Sequence, residues 1–378
     1  MKRLVSSLLA LLISIGLAQD LKQAALQTYA DIVFATYQDS LMLAKDLQSA
    51  IKDFLAAPSE PGLQTARNAW LAAREPYGQS EAFRFYGGPI DDAEGPEGLI
   101  NAWPLDEAYI DYVEGTANSG IINNVSDYPE ITKNLLSSLN EQGAEENISA
   151  GYHAIEFLLW GQDFSADGPG NRPYSDYTTA PNAARRAAYL QAATDLLIDN
   201  LSYLTEAWNP ATSDNYRHEF LALDPDVALT NMLTSLGVLS KSELAGERIF
   251  TAFDNQDQED EHSCFSDNTH RDIVTNFLGI KNVYTGSYTR VDGSVVSGSS
   301  LSDVVASLDP DLNAAVLANL GAAETQAKAL PAPFDQAIIK SETRPQIFDL
   351  VSSLLDLGDS FALVGSTLGL SINTALPE

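Results

Sequence analysis

The 378-residue sequence has a single cysteine and few basic residues, and both shortages limit what the protein can be. With Cys264 alone, the chain cannot form an internal disulfide, so its fold must be stabilised by a hydrophobic core. The 21 lysines and arginines stand against 52 aspartates and glutamates, which gives a formal net charge of −31. Because phosphate backbones are bound by clustered cationic side chains, we exclude nucleic acid as a partner. The charge favours cations and solubility instead.

The first residues have the pattern of a secretory signal peptide. Two basic residues precede an apolar run over residues 4–15, and small residues follow it, so that cleavage is expected after Ala18. The run is too short for a predicted membrane span, and no later stretch is long and apolar enough. We therefore predict a signal peptide over residues 1–18, no transmembrane segment in the mature chain, and export to the periplasm or cell surface of a bacterium.

Apolar residues recur along most of the chain at the i, i+3, i+4, i+7 spacing of amphipathic helices. The predicted helices cover residues 21–55, 61–74, 131–139, 147–160, 182–208, 226–253, 301–308, 312–330 and 343–370. The second of these is expected to stop near Pro76, and the glycine- and serine-rich stretch 286–300 is expected to form a hairpin or a mobile loop. Each half opens with a long helix, so we predict an all-α fold of two helical-bundle domains, 19–170 and 171–378, related by duplication.

The clearest candidate site is the pair His153 and Glu156 inside an apolar helix. Residues three apart share a helix face, so the imidazole and the carboxylate point the same way. Such nitrogen and oxygen donors suit iron, manganese or zinc. Two ligands are too few for a metal site, and the motif is not the HExxH of zinc peptidases. A histidine hydrogen-bonded to a glutamate of its own helix is the alternative interpretation.

Two other segments gather ligand-type side chains. Glu75, Glu81 and Asp91 lie beside helix breakers and aromatic residues, in the kind of loop where functional side chains converge. Residues 254–272 hold two of the four histidines, the cysteine and seven carboxylates. The candidates for a second metal site in this stretch are His262, His270, Asp257 and Glu261. A solvated turn with Arg–Glu pairs and an acidic surface loop are the respective alternatives.

Three segments together resemble the imelysin family of exported, often iron-regulated bacterial proteins. They read REPYGQSEAFRFYGGPIDD, GYHAIEFLLWGQD and DQEDEHSCFSDNTHRD, and the similarity covers about residues 21–373. GxHxxE is the signature of that family. The resemblance implies two bundles of about four helices each, with the GxHxxE site near their interface, and a link to iron uptake. It carries His153 and Glu156 over as metal ligands and, less directly, Glu75.

We therefore predict an exported protein that binds a divalent or ferric cation, or an iron-bearing ligand, in a cleft between two bundles. Iron is the first candidate, with zinc and manganese as alternatives. The predicted ligands are His153, Glu156, Glu75, Glu81 and Asp91, with Arg74 and Arg84 orienting carboxylates or neutralising an anion. Membrane-bound iron-transport components are candidate partners. The alternatives are a metal-dependent peptidase, for which no complete catalytic set is evident, and an interaction module that binds no metal.

Overall fold

A computed structural model describes residues 2–166 and 168–376 of the chain, with side chains described from residue 19. The side chains of the predicted signal peptide therefore lie outside the described residues. Helices form most of the described part, and β-structure there is a single two-stranded sheet with one isolated bridge. The all-α prediction is confirmed. None of the described helices combines the length and the hydropathy that crossing a bilayer requires.

The first half of the chain is organised by long helices joined by irregular segments. Its helices are α1 (Lys2–Ala56), α2 (Glu60–Ser80), α3 (Glu97–Ile100), α4 (Glu107–Ile110), α5 (Gly120–Asn123), α6 (Lys133–Leu139), α7 (Gly151–Trp160) and α8 (Ala183–Ala207). Helix α1 packs against α2 and α8, and α8 packs against α7. Ser59 caps α2 by accepting a hydrogen bond from the Gly62 N–H, as short hydroxyl side chains do at helix starts.

Helix α2 continues past Pro76, so the predicted stop at this residue is wrong. A proline inside a helix removes one backbone hydrogen bond and clashes with the preceding turn. Close packing on a later helix offsets that cost. A Cβ at Gly78 would lie 2.0 Å from Oγ1 of Thr275, and the Asn276 side-chain amide donates to the Gly78 carbonyl at 3.0 Å. Tertiary contacts beyond the proline therefore keep the last turn helical.

The second half repeats the alternation of long helices and short connections. Its elements are α9 (Tyr216–Ala222), α10 (Pro225–Val238), a π-helix (Leu239–Phe250), α11 (Thr251–Asn255), α12 (Thr269–Thr285), β1 (Ser287–Thr289), β2 (Val295–Ser297), α13 (Leu301–Leu308), α14 (Pro310–Lys328), α15 (Phe334–Ile339) and α16 (Arg344–Thr367). The predicted hairpin is confirmed, with Tyr288 opposite Val296. Helix α16 packs against α10, α14 and the π-helix.

The two halves share one hydrophobic core. Helix α2 packs against α12, and α1 contacts α10 and α13 as well as its neighbours in the first half. Buried apolar side chains form a continuous cluster from Leu26 to Val364. Helix α8 lies beyond the predicted domain boundary at residue 170 and packs against α1 and α7. The boundary and the duplication stay predictions.

Candidate metal-binding site

The GxHxxE motif forms the start of α7, and its histidine and glutamate are both almost fully buried. Gly151 opens the helix with φ of +86°, and a Cβ there would lie 2.6 Å from the Ile100 carbonyl oxygen. Only glycine adopts this conformation without strain and allows this approach. Nδ1 of His153 lies 2.9 Å from Oε2 of Glu156, as the i, i+3 spacing predicts. The motif thus holds α7 against the chain at residue 100 and pairs the two polar side chains.

Both carboxylate oxygens of Glu156 have partners. Oε2 faces His153, and Oε1 accepts hydrogen bonds from the backbone N–H and the hydroxyl of Ser266, at 2.9 and 2.6 Å. Burial raises the pKa of Glu156 to about 8, and the Ser266 hydrogen bonds oppose that shift. A carboxylate held in this way fixes the orientation of the imidazole. To act as the predicted oxygen ligand, Glu156 would have to give up one of these partners.

The ring of His153 packs against that of a second histidine. Its Nε2 is buried and has no hydrogen-bond partner among the described residues. The His262 ring lies at 62° to the His153 ring, with centroids 4.8 Å apart. Burial, followed by the proximity of His262, lowers the pKa of His153 well below its usual value, and burial lowers the pKa of His262 to about 4. Both rings are neutral at neutral pH, the state in which imidazole binds metals.

Asp272 and Asn101 contact the two ring nitrogens of His262. Nδ1 lies 3.3 Å from Oδ2 of Asp272 without a well-aligned hydrogen bond, and Nε2 lies 3.4 Å from Nδ2 of Asn101. Asp272 is also bound by Arg74, at 3.1 Å, and by the hydroxyl of Ser263. Burial acts to raise the pKa of Asp272, but Arg74, His262 and Ser263 together outweigh it and hold this pKa below its usual range. The carboxylate is therefore ionised and anchored beside His262.

Glu81 is a fully buried carboxylate next to this group. Its Oε2 accepts hydrogen bonds from Arg84 and Arg248, each at 2.7 Å, and its Oε1 accepts one from Asn101 at 3.3 Å. Burial opposes ionisation, but the two guanidinium groups hold the pKa of Glu81 below its usual range. Arg84 thus orients one of the predicted carboxylates. Through Asn101, the ion-pair network reaches His262.

The other two carboxylates predicted as ligands have different partners. The side chain of Glu75 is 41% exposed, and its two oxygens accept a bidentate pair of hydrogen bonds from Arg271, at 2.8 and 2.7 Å. Asp91 accepts hydrogen bonds from the backbone N–H groups of Phe85 and Gly88, and so stabilises a turn in which Phe85 has φ of +72°. No contact of either carboxylate with the GxHxxE histidine is found in the described part of the chain. Their assignment as ligands stays a prediction.

The residues of the predicted second site lie in different surroundings. His262 joins the GxHxxE histidine, whereas His270 contacts the Asp267 carbonyl at 3.1 Å. Asp257 is exposed and accepts a hydrogen bond from a backbone N–H two residues on. Glu261 is buried, and burial raises its pKa well above its usual range. Across the described residues, no three His, Cys, Asp or Glu side chains are arranged so that they could hold a metal ion.

A cavity of about 410 Å³ opens beside His262, and we call it the acidic cleft. Its polar and aromatic lining consists of Arg84, Glu97, Asn101, Trp103, Glu141, Glu145, Glu243, Glu247, Arg248 and His262. Three of these belong to the π-helix, whose i→i+5 hydrogen bonds bring residues 243, 247 and 248 onto one face. A larger cavity of about 570 Å³ lies near Trp160 and Arg172, and neither histidine lines it. The acidic cleft is therefore the cavity that reaches the site.

The family model described as Imelysin, a peptidase model, matches residues 33–361. The chain belongs to the imelysin family. This match confirms the resemblance recognised in the sequence, because it covers most of the chain.

Individual relatives of this imelysin agree with the family assignment. "Iron-regulated protein A" of Synechococcus elongatus is 28% identical over 282 residues, which is 72% of this chain and 66% of that protein. A crystal structure described as an iron-regulated protein A precursor, from Parabacteroides distasonis, superposes with a TM-score of 0.72 at 24% identity, over 92% of this chain and 95% of that one. An imelysin-like protein from Psychrobacter arcticum gives 0.67 at 14% identity, over 94% and 98%. These two structures show that the fold is shared.

Sequence reasoning did not single out several residues that shape the imelysin site. They are Asn101, Arg248, Ser266 and Asp272, which lie far from the GxHxxE motif in the chain. The sequence contains one signal that points to such residues. A buried His–Glu pair needs hydrogen-bond partners, and the segment around His262 is rich in hydroxyl and carboxylate side chains. Which of those side chains would serve could not be read from spacing.

Proposed function

We propose that this imelysin binds a metal cation through His153 and His262 and that it serves iron acquisition outside the cytoplasm. The observation that carries the proposal is the buried Nε2 of His153, which has no partner in the described part of the protein and lies beside a second neutral imidazole. An unsatisfied buried nitrogen costs free energy. A bound cation would supply its missing partner.

The residues fit a metal held by two histidines. Glu156 would act as the carboxylate that fixes the ring and tautomer of His153, a common arrangement around metal-binding histidines. In the described residues, no third His, Cys, Asp or Glu side chain completes the coordination. The other positions would therefore be filled by water or by a molecule that carries the metal. Coordination positions of this kind agree with a role in binding the cation and passing it on.

Iron is the first candidate for the cation. The Synechococcus relative is named for its regulation by iron, and neutral imidazole is a ligand for iron as well as for zinc. The signal-peptide pattern at the start of the chain supports an exported protein. Membrane-bound iron-transport components would be its partners.

The peptidase alternative rests on the name of the family model. It would need Glu156 as a ligand or as the general base on a metal-bound water. The contacts of Glu156 with His153 and Ser266 leave neither oxygen open for that task. Binding is thus the function that the geometry supports best. An interaction module without metal would keep its fold and melting temperature in chelator.

The test compares two histidine variants of the chain. Metal uptake is measured by mass spectrometry and calorimetry with Fe²⁺ under anaerobic conditions, and with Zn²⁺ and Mn²⁺. His153→Ala is expected to lose binding, whereas His218→Ala, which changes an exposed histidine, retains it. His153→Gln repeats the test with less change in volume, and circular dichroism confirms that each variant is folded. Unchanged uptake in His153→Ala, or none in the wild type, would refute the proposal.

The same preparations test the peptidase alternative. The metal-loaded chain is incubated with a broad library of unfolded peptides, and cleavage is followed by mass spectrometry. Metal-dependent cleavage that Glu156→Gln abolishes, while metal still binds, would replace the binding proposal with the peptidase.

A further inference from the structure

We infer that the acidic cleft is the path by which the ligand reaches His262 and that it selects cationic metal species over anionic metal chelates. Glu141, Glu145 and Glu247 would be the specificity-determining residues. The inference rests on the proposed function, because it concerns access to the same histidines.

The acidic cleft reaches the histidine pair through His262. His262 is only 2% exposed, yet it lines the cleft. Its Nδ1 is buried and lies 3.3 Å from Oδ2 of Asp272 without a well-aligned hydrogen bond. The ring lies 4.8 Å from that of His153. A ligand in the cleft thus meets one imidazole of the pair directly, and the second lies immediately behind it.

The side chains that line the cleft carry a net negative charge. Five glutamates and two arginines line it, which gives a formal charge of −3. Both arginines are paired with carboxylates. Arg84 forms ion pairs with Glu81 and Glu97, at 2.7 and 3.2 Å. Arg248 pairs with Glu81 and Glu243, at 2.7 and 2.6 Å. The positive charges are matched, so an anionic ligand would enter a field of its own sign.

Three of the glutamates in the cleft carry charges that can act on an approaching ligand. Glu141, Glu145 and Glu247 are exposed and form no ion pair with any described residue. Their charges are thus not cancelled by neighbours. Clefts lined by one sign of charge focus the field and raise the association rates of opposite charges by about 10-fold to 1,000-fold.

The volume of the cleft also determines which ligands can enter it. A cavity of about 410 Å³ is far larger than the space that one water molecule requires. A hydrated cation can therefore enter with its water shell and exchange water for imidazole inside. Volume alone would also admit a small organic chelate, so charge is the property by which the cleft discriminates.

The experiment measures the association rate of Co²⁺, used as a spectroscopic probe, by stopped flow. The test variant is Glu141→Gln/Glu145→Gln/Glu247→Gln. The control is Glu130→Gln/Glu219→Gln/Glu342→Gln, which removes the same net charge from exposed glutamates that do not line the cleft. At low ionic strength the test variant is expected to bind Co²⁺ about 10-fold more slowly than the control. Near 1 M salt the difference should vanish, because the screening length falls to about 3 Å.

A second arm uses the anionic citrate complex of ferric iron, which the wild type is expected not to bind. Equal rates for the test and control variants at low salt would overturn the inference and leave the metal site intact. Binding of the citrate complex as tightly as Co²⁺ would do the same. If the wild type takes up no Co²⁺ at equilibrium, the metal site and the inference fail together.

Discussion

The buried polar side chains around Asp111 and those around His153 lie at similar depth but are held in different ways. Asp111 accepts hydrogen bonds on Oδ2 from Arg172 and Arg186, at 2.8 and 2.6 Å, and on Oδ1 from Arg186 at 2.9 Å. Burial acts to raise the pKa of Asp111, but the hydrogen bonds with Arg186 and the charges of Arg172 and Arg186 together outweigh burial and lower it. Around His153, burial dominates: it raises the pKa of Glu156 to about 8, and Nε2 of His153 is buried without a hydrogen-bond partner among the described residues.

The difference separates a cluster stabilised by ion pairs from the proposed metal site, which is buried to the same depth. In the Asp111 cluster, ion pairs compensate the loss of hydration, which is what a buried charge requires. In the His153 cluster, burial favours the neutral forms of Glu156 and of the two imidazoles. Perturbed groups without compensation collect at functional sites, since selection tolerates their cost only there. Burial alone would not distinguish the two clusters.

The largest effect is expected when the Asp111 cluster is broken. Asp111→Asn removes the charge shared by Arg172 and Arg186, and loss of one partner of a buried ion pair costs about 3–5 kcal/mol of unfolding free energy. Urea denaturation measures it. Asp349→Asn, on the exposed face of α16, should change stability by less than about 0.5 kcal/mol. A loss below about 1 kcal/mol for Asp111→Asn would remove the contrast between the clusters.

Breaking the His153 cluster should affect binding more than stability. In Glu156→Gln, the amide oxygen can still accept from Ser266, but the amide nitrogen donates to Nδ1 of His153 and forces the ring proton onto Nε2. We expect metal affinity to fall about 10-fold to 100-fold, with stability within about 1 kcal/mol of the wild type. Calorimetry and urea denaturation measure the two quantities. A large loss of stability with unchanged affinity would make this pair structural.

The pH dependence of stability should sharpen the comparison at Asp111. Its pKa is lowered in the folded state, so its contribution is fully present above the unfolded value of about 3.9 and is lost as pH falls through the folded pKa. The destabilisation by Asp111→Asn should therefore be constant between about pH 5 and 7 and should shrink below about pH 4. Urea curves across this range test it. If Asp111→Asn still lowers the stability by the same amount below about pH 4, the effect comes from the shape of the side chain and not from its charge.

The smallest effect is expected at Glu75. This carboxylate is 41% exposed and bonded to Arg271, and exposed ion pairs contribute at most about 1 kcal/mol. Glu75→Gln should therefore lower stability slightly and leave metal affinity unchanged in calorimetry. A 10-fold loss of affinity would instead support the ligand role that the family resemblance implies for Glu75, and would require Arg271 to release it.

The long helices could be predicted because burial of one face imposes a period on the sequence. The predicted helix over 182–208 is present as Ala183–Ala207. The passage through Pro76 and the π-helix over Leu239–Phe250 could not be predicted. Both depend on contacts with other helices: α2 packs on α12, and the π-helix packs on α16. Local propensity gives no signal of such contacts.

The sequence by itself determined the all-α class, the signal-peptide pattern and the pairing of His153 with Glu156. That pairing follows from helix geometry, which places residues three apart side by side wherever the helix lies. Only the tertiary structure decided that His262 faces His153, that Ser266 holds Glu156, and that Glu75 pairs with Arg271. Those contacts join segments far apart in the chain. They are set by how the shared core packs and by the need of each buried polar group for a partner.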